Sequence, residues 1–131
     1  MQLSLHAGQR AGREELTRKV TEAMRHPSVR ALSHPKGRII NHRPENALDL
    51  DRVFEVALEV NGLPDRLDLR GEHVRDAVEA GVAIVVSTDA HSERGLGNMR
   101  LAVATARRGW ATAGDVVNTR PFAELLTGRR A

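Results

Sequence analysis

Between Arg13 and Arg25, Leu16, Val20 and Ala23/Met24 recur at helical spacing among charged residues, which predicts one buried helix face. The run stops at His26-Pro27, because proline disfavours a helical residue before it. Upstream, Leu3 to Leu5 is a short apolar start, and downstream Val29 to Ser33 reads as a short strand leading into His34-Pro35. The segment Lys36 to Asn46, KGRIINHRPEN, mixes glycine, proline and polar residues as a surface loop does. From Asp49 to Glu59, Val53, Val56 and Ala57, continued by Val60, fit a helix, while the stretch ALEV fits a strand equally well, so both assignments stand.

Gly62 to Arg70 reads as a loop, followed by a helix from Gly71 to Ala80 that ends at Gly81, where a left-handed cap is easiest. Val82 to Ser87, VAIVVS, is the clearest strand: β-branched, apolar on both faces, and expected to be central under covering helices. Asn98 to Arg108 predicts a helix with Met99, Ala102, Val103 and Ala106 inward, and Trp110 after it fits a helix-packing role. Two helical pieces, Ala113 to Val117 and Pro121 to Leu126, complete the alternation, with 128–131 expected to be a disordered tail. The pattern is α/β and residues 1–131 read as a single domain, too short for a full eight-stranded barrel of roughly 250 residues.

Composition narrows the chemistry. Phe54, Phe122 and Trp110 are the only aromatic residues, so the core must be aliphatic and single-strand binding by base stacking is disfavoured. Twenty basic residues, eighteen of them arginine, against seventeen acidic ones give a net charge of only +3, which by itself decides little about nucleic acid. With no cysteine, disulfides, thiolate metal sites and cysteine nucleophiles are excluded, and metal chemistry falls to histidine and carboxylate. The longest apolar run, Val82 to Val86, is far short of a membrane span, and no leader is legible at the start. The expectation is a cytoplasmic protein without a membrane partner.

The strongest local signal is Ser87-Thr88-Asp89-Ala90-His91 directly after the apolar strand. Strands of open α/β sheets and barrels present their sites at the carboxyl edge. Asp89 and His91, two apart, point to one side of extended backbone and can grip one divalent ion; the plainer alternative is a turn-capping aspartate and a loop histidine. His34 follows a second strand, and His6 follows the alternating Leu3 and Leu5, so the four residues form a candidate cluster for zinc, manganese or iron. His26, His42 and His73 sit at a helix end, in a loop and at a helix start, and read as structural or surface residues. Arg38 and Arg43 flank the His34 loop as candidate phosphate contacts, or as two solvated arginines. Lys36-Gly37 lacks the upstream glycines and downstream Ser/Thr of a nucleotide-binding loop. Asp65, Arg66 and Asp68 read as turn-forming or as support for neighbouring ligands.

His6, SHPKGRII from Ser33, NGLPDRLDL from Asn61, STDAH from Ser87 and NMRLAVATARRGW from Asn98 together resemble the C-terminal half of a PHP (polymerase and histidinol phosphatase) domain. The resemblance is closest to the PHP domain of bacterial family-X DNA polymerases. It implies a distorted β/α barrel, truncated here, with metal ions at the carboxyl ends of its strands and phosphoesterase activity of the 3′–5′ exonuclease or 3′-end-processing kind. Carried over by motif, His6, His34, Asp89 and His91 are implied metal ligands, Asp89 and His91 also catalytic, Asn61 a strand-end residue near the site, and Arg38 a contact to DNA phosphate. The family's opening His-x-His motif, its next aspartate and histidine and its glutamate ligand have no counterpart in this chain. Residues that normally join a barrel helix to the next strand are also missing between Val56 and Ala57, so the helix there must be shortened or the strand displaced.

Three readings follow. The first is a metal-dependent phosphoesterase acting on DNA ends or a small phosphate ester. The second is a catalytically inactive remnant serving as a structural or protein-interaction module, paired with a complementary N-terminal half-domain or in a homo-oligomer. The third is a simple arginine-based nucleic-acid binder, which salt-sensitive, metal-independent DNA binding would single out.

Overall fold

A computed structural model describes residues 1–8 and 10–127 of the chain. The expected disordered tail, 128–131, lies outside the described residues. Four strands, β1 (Gln2–Ser4), β2 (Ala31–Ser33), β3 (Ala57–Asn61) and β4 (Ile84–Ser87), form one sheet in the order β1-β2-β3-β4. Every pairing is parallel, so each strand is followed by a crossover that returns the chain to the same end. Helix α1 (Arg13–Met24) joins β1 to β2, α2 (Gly71–Glu79) joins β3 to β4, and α3 (Met99–Arg108) and α4 (Phe122–Thr127) follow β4. Among the described residues, no helix is long and apolar enough to cross a membrane.

Strand side chains alternate between faces, and the two faces differ in kind. Leu32, Leu58, Val60, Ile84 and Val86 pack against Leu16, Val20 and Met24 of α1, Val74 and Ala77 of α2, and Ala102 and Ala106 of α3. Each fully buried Leu or Val here contributes about 1.5–3 kcal/mol. The opposite face is small and polar: Ala31, Ala57 and Ala83 form a minor cluster, and Glu59 and Asn61 are buried beside them.

The structure corrects several sequence expectations. Asp49 to Glu59 is not a long helix; a one-turn 3-10 helix at Asp51–Val53 precedes β3, because Leu58 and Val60 are claimed by pairing opposite Ile84 and Val86. β4 is an edge strand, not a central one. Its outer edge is nevertheless covered: the Ile84 N–H donates to the Asp115 carbonyl at 2.8 Å, and the Asn118 side chain accepts from Val86 N–H at 2.8 Å and donates to the Val86 carbonyl at 3.0 Å. That strap explains how an edge strand tolerates an apolar run. Ala113 to Val117 is not helical, since Asp115 draws the Thr112 N–H and hydroxyl onto its own carboxylate, each at 2.7 Å, and a 3-10 turn forms only at Val117–Thr119.

On α3 only Ala102 and Ala106 are buried, while Met99 and Val103 face solvent. The small inward residues reflect close approach: a Cβ on Gly62 would meet Ala102 Cβ at 2.9 Å, and one on Gly109 would lie 2.6 Å from the Gly71 carbonyl oxygen at the start of α2. Trp110 is 64% exposed, with the Arg75 guanidinium carbon 3.5 Å from its ring centroid, so it makes a surface cation–π contact and not a core contact.

Candidate functional site

Parallel strands in consecutive order deliver their carboxyl ends to one edge, and the chain leaving each strand carries a polar residue there. His6 follows β1, His34 follows β2, Asn61 ends β3, and Asp89 and His91 follow β4. His6 and His34 meet edge to face, with ring centroids 5.5 Å apart and planes at 76°. His34 and Asp89 both hold left-handed backbone, φ +29° and +51°, a conformation that side chains other than glycine adopt at a cost.

Two residues outside the predicted ligand set organise this edge. Glu59, buried on the polar face of β3, accepts from the Gln2 amide at 3.0 Å, the His34 backbone N–H at 2.6 Å, the Asn61 amide at 3.4 Å and the Ser87 hydroxyl. It therefore ties all four strands together and holds the backbone of His34. The alternation Ala57, Glu59, Asn61 was the available signal, masked by the helix-or-strand ambiguity. Arg66 is the second. The Asn61 N–H donates to the Asp68 carbonyl at 2.6 Å and the Asn61 side chain accepts from Leu63 N–H at 2.9 Å, folding the 61–68 loop back over the edge. That loop sets Arg66 Nε 3.5 Å from Asp89 Oδ2, with Nε and Nη1 buried and lacking hydrogen-bond partners among the described residues.

Arg38 is spent on this loop: Nε donates to the Arg66 carbonyl at 3.0 Å and Nη2 to the Leu67 carbonyl at 2.6 Å. Arg43 donates from Nε to the Gly37 carbonyl at 2.8 Å. His91 is exposed, and its Nδ1 donates back to the Asp89 carbonyl at 2.7 Å. Beside it lies a shallow cavity of about 330 Å³ lined by Leu63, Asp89, His91, Arg94 and Asn98. A larger one of about 790 Å³ is lined by His6, Arg10, His42, Arg43, Glu45 and Asn46. His42 thus sits at a cavity wall, and His73 is half-buried near Glu45, 3.9 Å from its carboxylate.

Electrostatics follow from this packing. Burial first, then the Arg66 guanidinium, lowers the His34 pKa, with Glu59 and Asp89 opposing, so the ring is neutral at pH 7. Burial likewise lowers the His73 and Lys36 pKa values, against the pull of Glu45. Asp68 goes the other way: burial pushes it up to about 6, although the backbone N–H groups of Lys36 and Gly37 pull it down.

These donors do not fit a resident divalent ion. Among the described residues no group of three or more His, Asp or Glu side chains is arranged to hold one. Asp89 faces a guanidinium, His91 turns to its own loop, and the two remaining imidazoles are packed on each other. Among the described residues, the four residues expected to hold zinc, manganese or iron are thus not gathered into a three-ligand group, and a guanidinium faces Asp89.

No family model matches the chain. It is similar to "DNA polymerase/3'-5' exonuclease PolX" of Bacillus subtilis (strain 168), with 34% identity over 128 residues covering 93% of this chain. The chain spans 22% of that relative's length. The relation is a distant homology, at superfamily level, to part of that protein.

Proposed function

We propose that this chain is a structural or protein-interaction module without catalytic activity of its own, descended from the C-terminal half of a PHP-type phosphoesterase domain. The observation that carries the reading is that no three-ligand group forms among the described residues, with Asp89 engaged by Arg66. The consecutive parallel order β1-β2-β3-β4, with α1, α2 and α3 all packed on one face, supports a section of a β/α barrel as the parent fold. In this reading residues 1–131 act as one domain whose use of the strand ends is architectural: Glu59 and Arg66 hold there what ions hold in a complete site.

A second reading has one observation in its favour. His6, His34, Asp89 and His91 still leave the same sheet edge, so a partner polypeptide bringing the missing ligands would restore a phosphoesterase acting on DNA ends or a phosphate ester. Elemental analysis of gently purified, size-fractionated protein separates the two, with a His34→Ala/Asp89→Ala variant as control. We expect metal far below one ion per chain, no difference in the variant, and no manganese-dependent release of phosphate from a 3′-phosphorylated oligonucleotide. A stoichiometric ion lost in the variant would overturn the first reading.

A further inference from the structure

Of the five asparagines in the chain, only Asn61 precedes a glycine. In an unfolded chain that pair is the most labile setting for an asparagine, because a following residue without Cβ lets its backbone nitrogen reach the side-chain amide carbon unhindered. The Gly62 nitrogen gives up its proton to base and bonds to Asn61 Cγ, the bond from Cγ to the side-chain nitrogen breaks, and ammonia leaves. Water then opens the cyclic imide at either carbonyl. The product is aspartate, or isoaspartate with the main chain rerouted through the side-chain carbon. Water and base are the only co-reactants.

The fold ties down each atom that this reaction needs. The Gly62 N–H donates to the Ser87 carbonyl at 2.8 Å, which holds the attacking nitrogen on β4. The Asn61 amide is fixed at both ends: Oδ1 accepts from Leu63 N–H at 2.9 Å, and Nδ2 donates to Glu59 Oε2 at 3.4 Å. Asn61 is also fully buried, so water has no path to an imide there. Nor does another side chain fit in place of the glycine, since a Cβ at position 62 would lie 2.6 Å from the Asn98 carbonyl oxygen and 2.9 Å from Ala102 Cβ. The close approach of α3 thus imposes the labile pair, and only the finished sheet protects it. The products do not fit that sheet. Aspartate would set a carboxylate oxygen beside Glu59 where an amide donor stood, two acids in one buried place. Isoaspartate would lengthen the backbone where Asn61 pairs with Ser87. We propose that Asn61-Gly62 is a site of spontaneous deamidation that the native sheet holds shut and unfolding opens, so that time spent unfolded becomes an irreversible loss of the ability to refold.

The test holds the chain in guanidinium chloride and in native buffer, at one mildly alkaline pH and one temperature, and samples both over days. Trypsin cleavage after Arg52 and Arg66 releases the peptide 53–66, whose aspartate and isoaspartate forms separate from the parent by retention and mass. The unfolded sample is expected to convert at least about tenfold faster than the folded one, since the folded chain must first open. Within the unfolded sample the peptide 39–43, which carries Asn41-His42, should convert far more slowly. A Gly62→Ala chain, compared only in denaturant where its packing is immaterial, should lose most of the conversion. On dilution, the refolded fraction read by circular dichroism should fall in step with conversion, with the modified peptide concentrated in the chains that fail to refold. Equal rates in the folded and unfolded samples overturn the proposal, as does an unfolded sample in which 53–66 converts no faster than 39–43. Modified chains that refold as fully as the parent overturn it too. None of these readouts depends on the role proposed above.

Discussion

Asp68 is 1% exposed and one of its carboxylate oxygens has no hydrogen-bond partner, which makes its ionisation costly in the folded state. With a folded pKa of about 6 against an ordinary value of 3.8, the folded chain binds the proton more tightly than the unfolded chain. Stability therefore falls as pH rises from about 4 to about 6, and the full penalty is present above that window. Asp68→Asn is expected to be more stable than the parent at pH 7, by about 1–3 kcal/mol, and to lose the slope between pH 4 and 6; urea denaturation across that range checks both. Glu59 accepts from four donors in four places in the chain, whereas one Asp68 carboxylate oxygen has no partner. Of the residues at the site, His6, His34, Asp89 and His91 were legible because each lies within a few residues after a short apolar run. Arg66 was legible only as a loop residue supporting its neighbours, and Glu59 not at all, because the partners that distinguish them lie far away in the sequence.

At the scale of elements, the close contact between α2 and the end of α3 depends on Gly109, where an added Cβ would lie 2.6 Å from the Gly71 carbonyl oxygen and crowd Val74. Gly109→Ala is expected to destabilise the chain by about 1–3 kcal/mol, read as a lower urea midpoint with an unchanged slope. Helices α1, α2 and α3 were legible to within a residue or two, since apolar spacing, Pro27 and Gly81 are local signals. The errors share one cause. ALEV became β3 because strands on either side paired with it, and VAIVVS became an edge because Val116 and Asn118 cover its outer side. Met99 and Val103 were misplaced inward because helical periodicity marks an apolar stripe without saying what, if anything, packs on it.

For the whole molecule, a ligand that binds only the folded state raises its stability, by about 2.7 kcal/mol at a hundredfold excess over its dissociation constant. A chain that holds no ion at its sheet edge should then show the same melting temperature with and without excess manganese, measured by calorimetry. A rise that disappears in Asp89→Ala would speak for a working metal site. What the sequence by itself determined was the alternating α/β order, the aliphatic core and the set of residues that emerge from strand ends. Those follow from side-chain period, proline and glycine positions and composition, all of which act over a few neighbouring residues. Only the tertiary structure decided that Arg66 faces Asp89, that Glu59 binds all four strands, and that an apolar groove opens between α3 and the segment after it. Each of those depends on strand register and on loops folding back, so the partners come from segments whose own local pattern carries no trace of the contact.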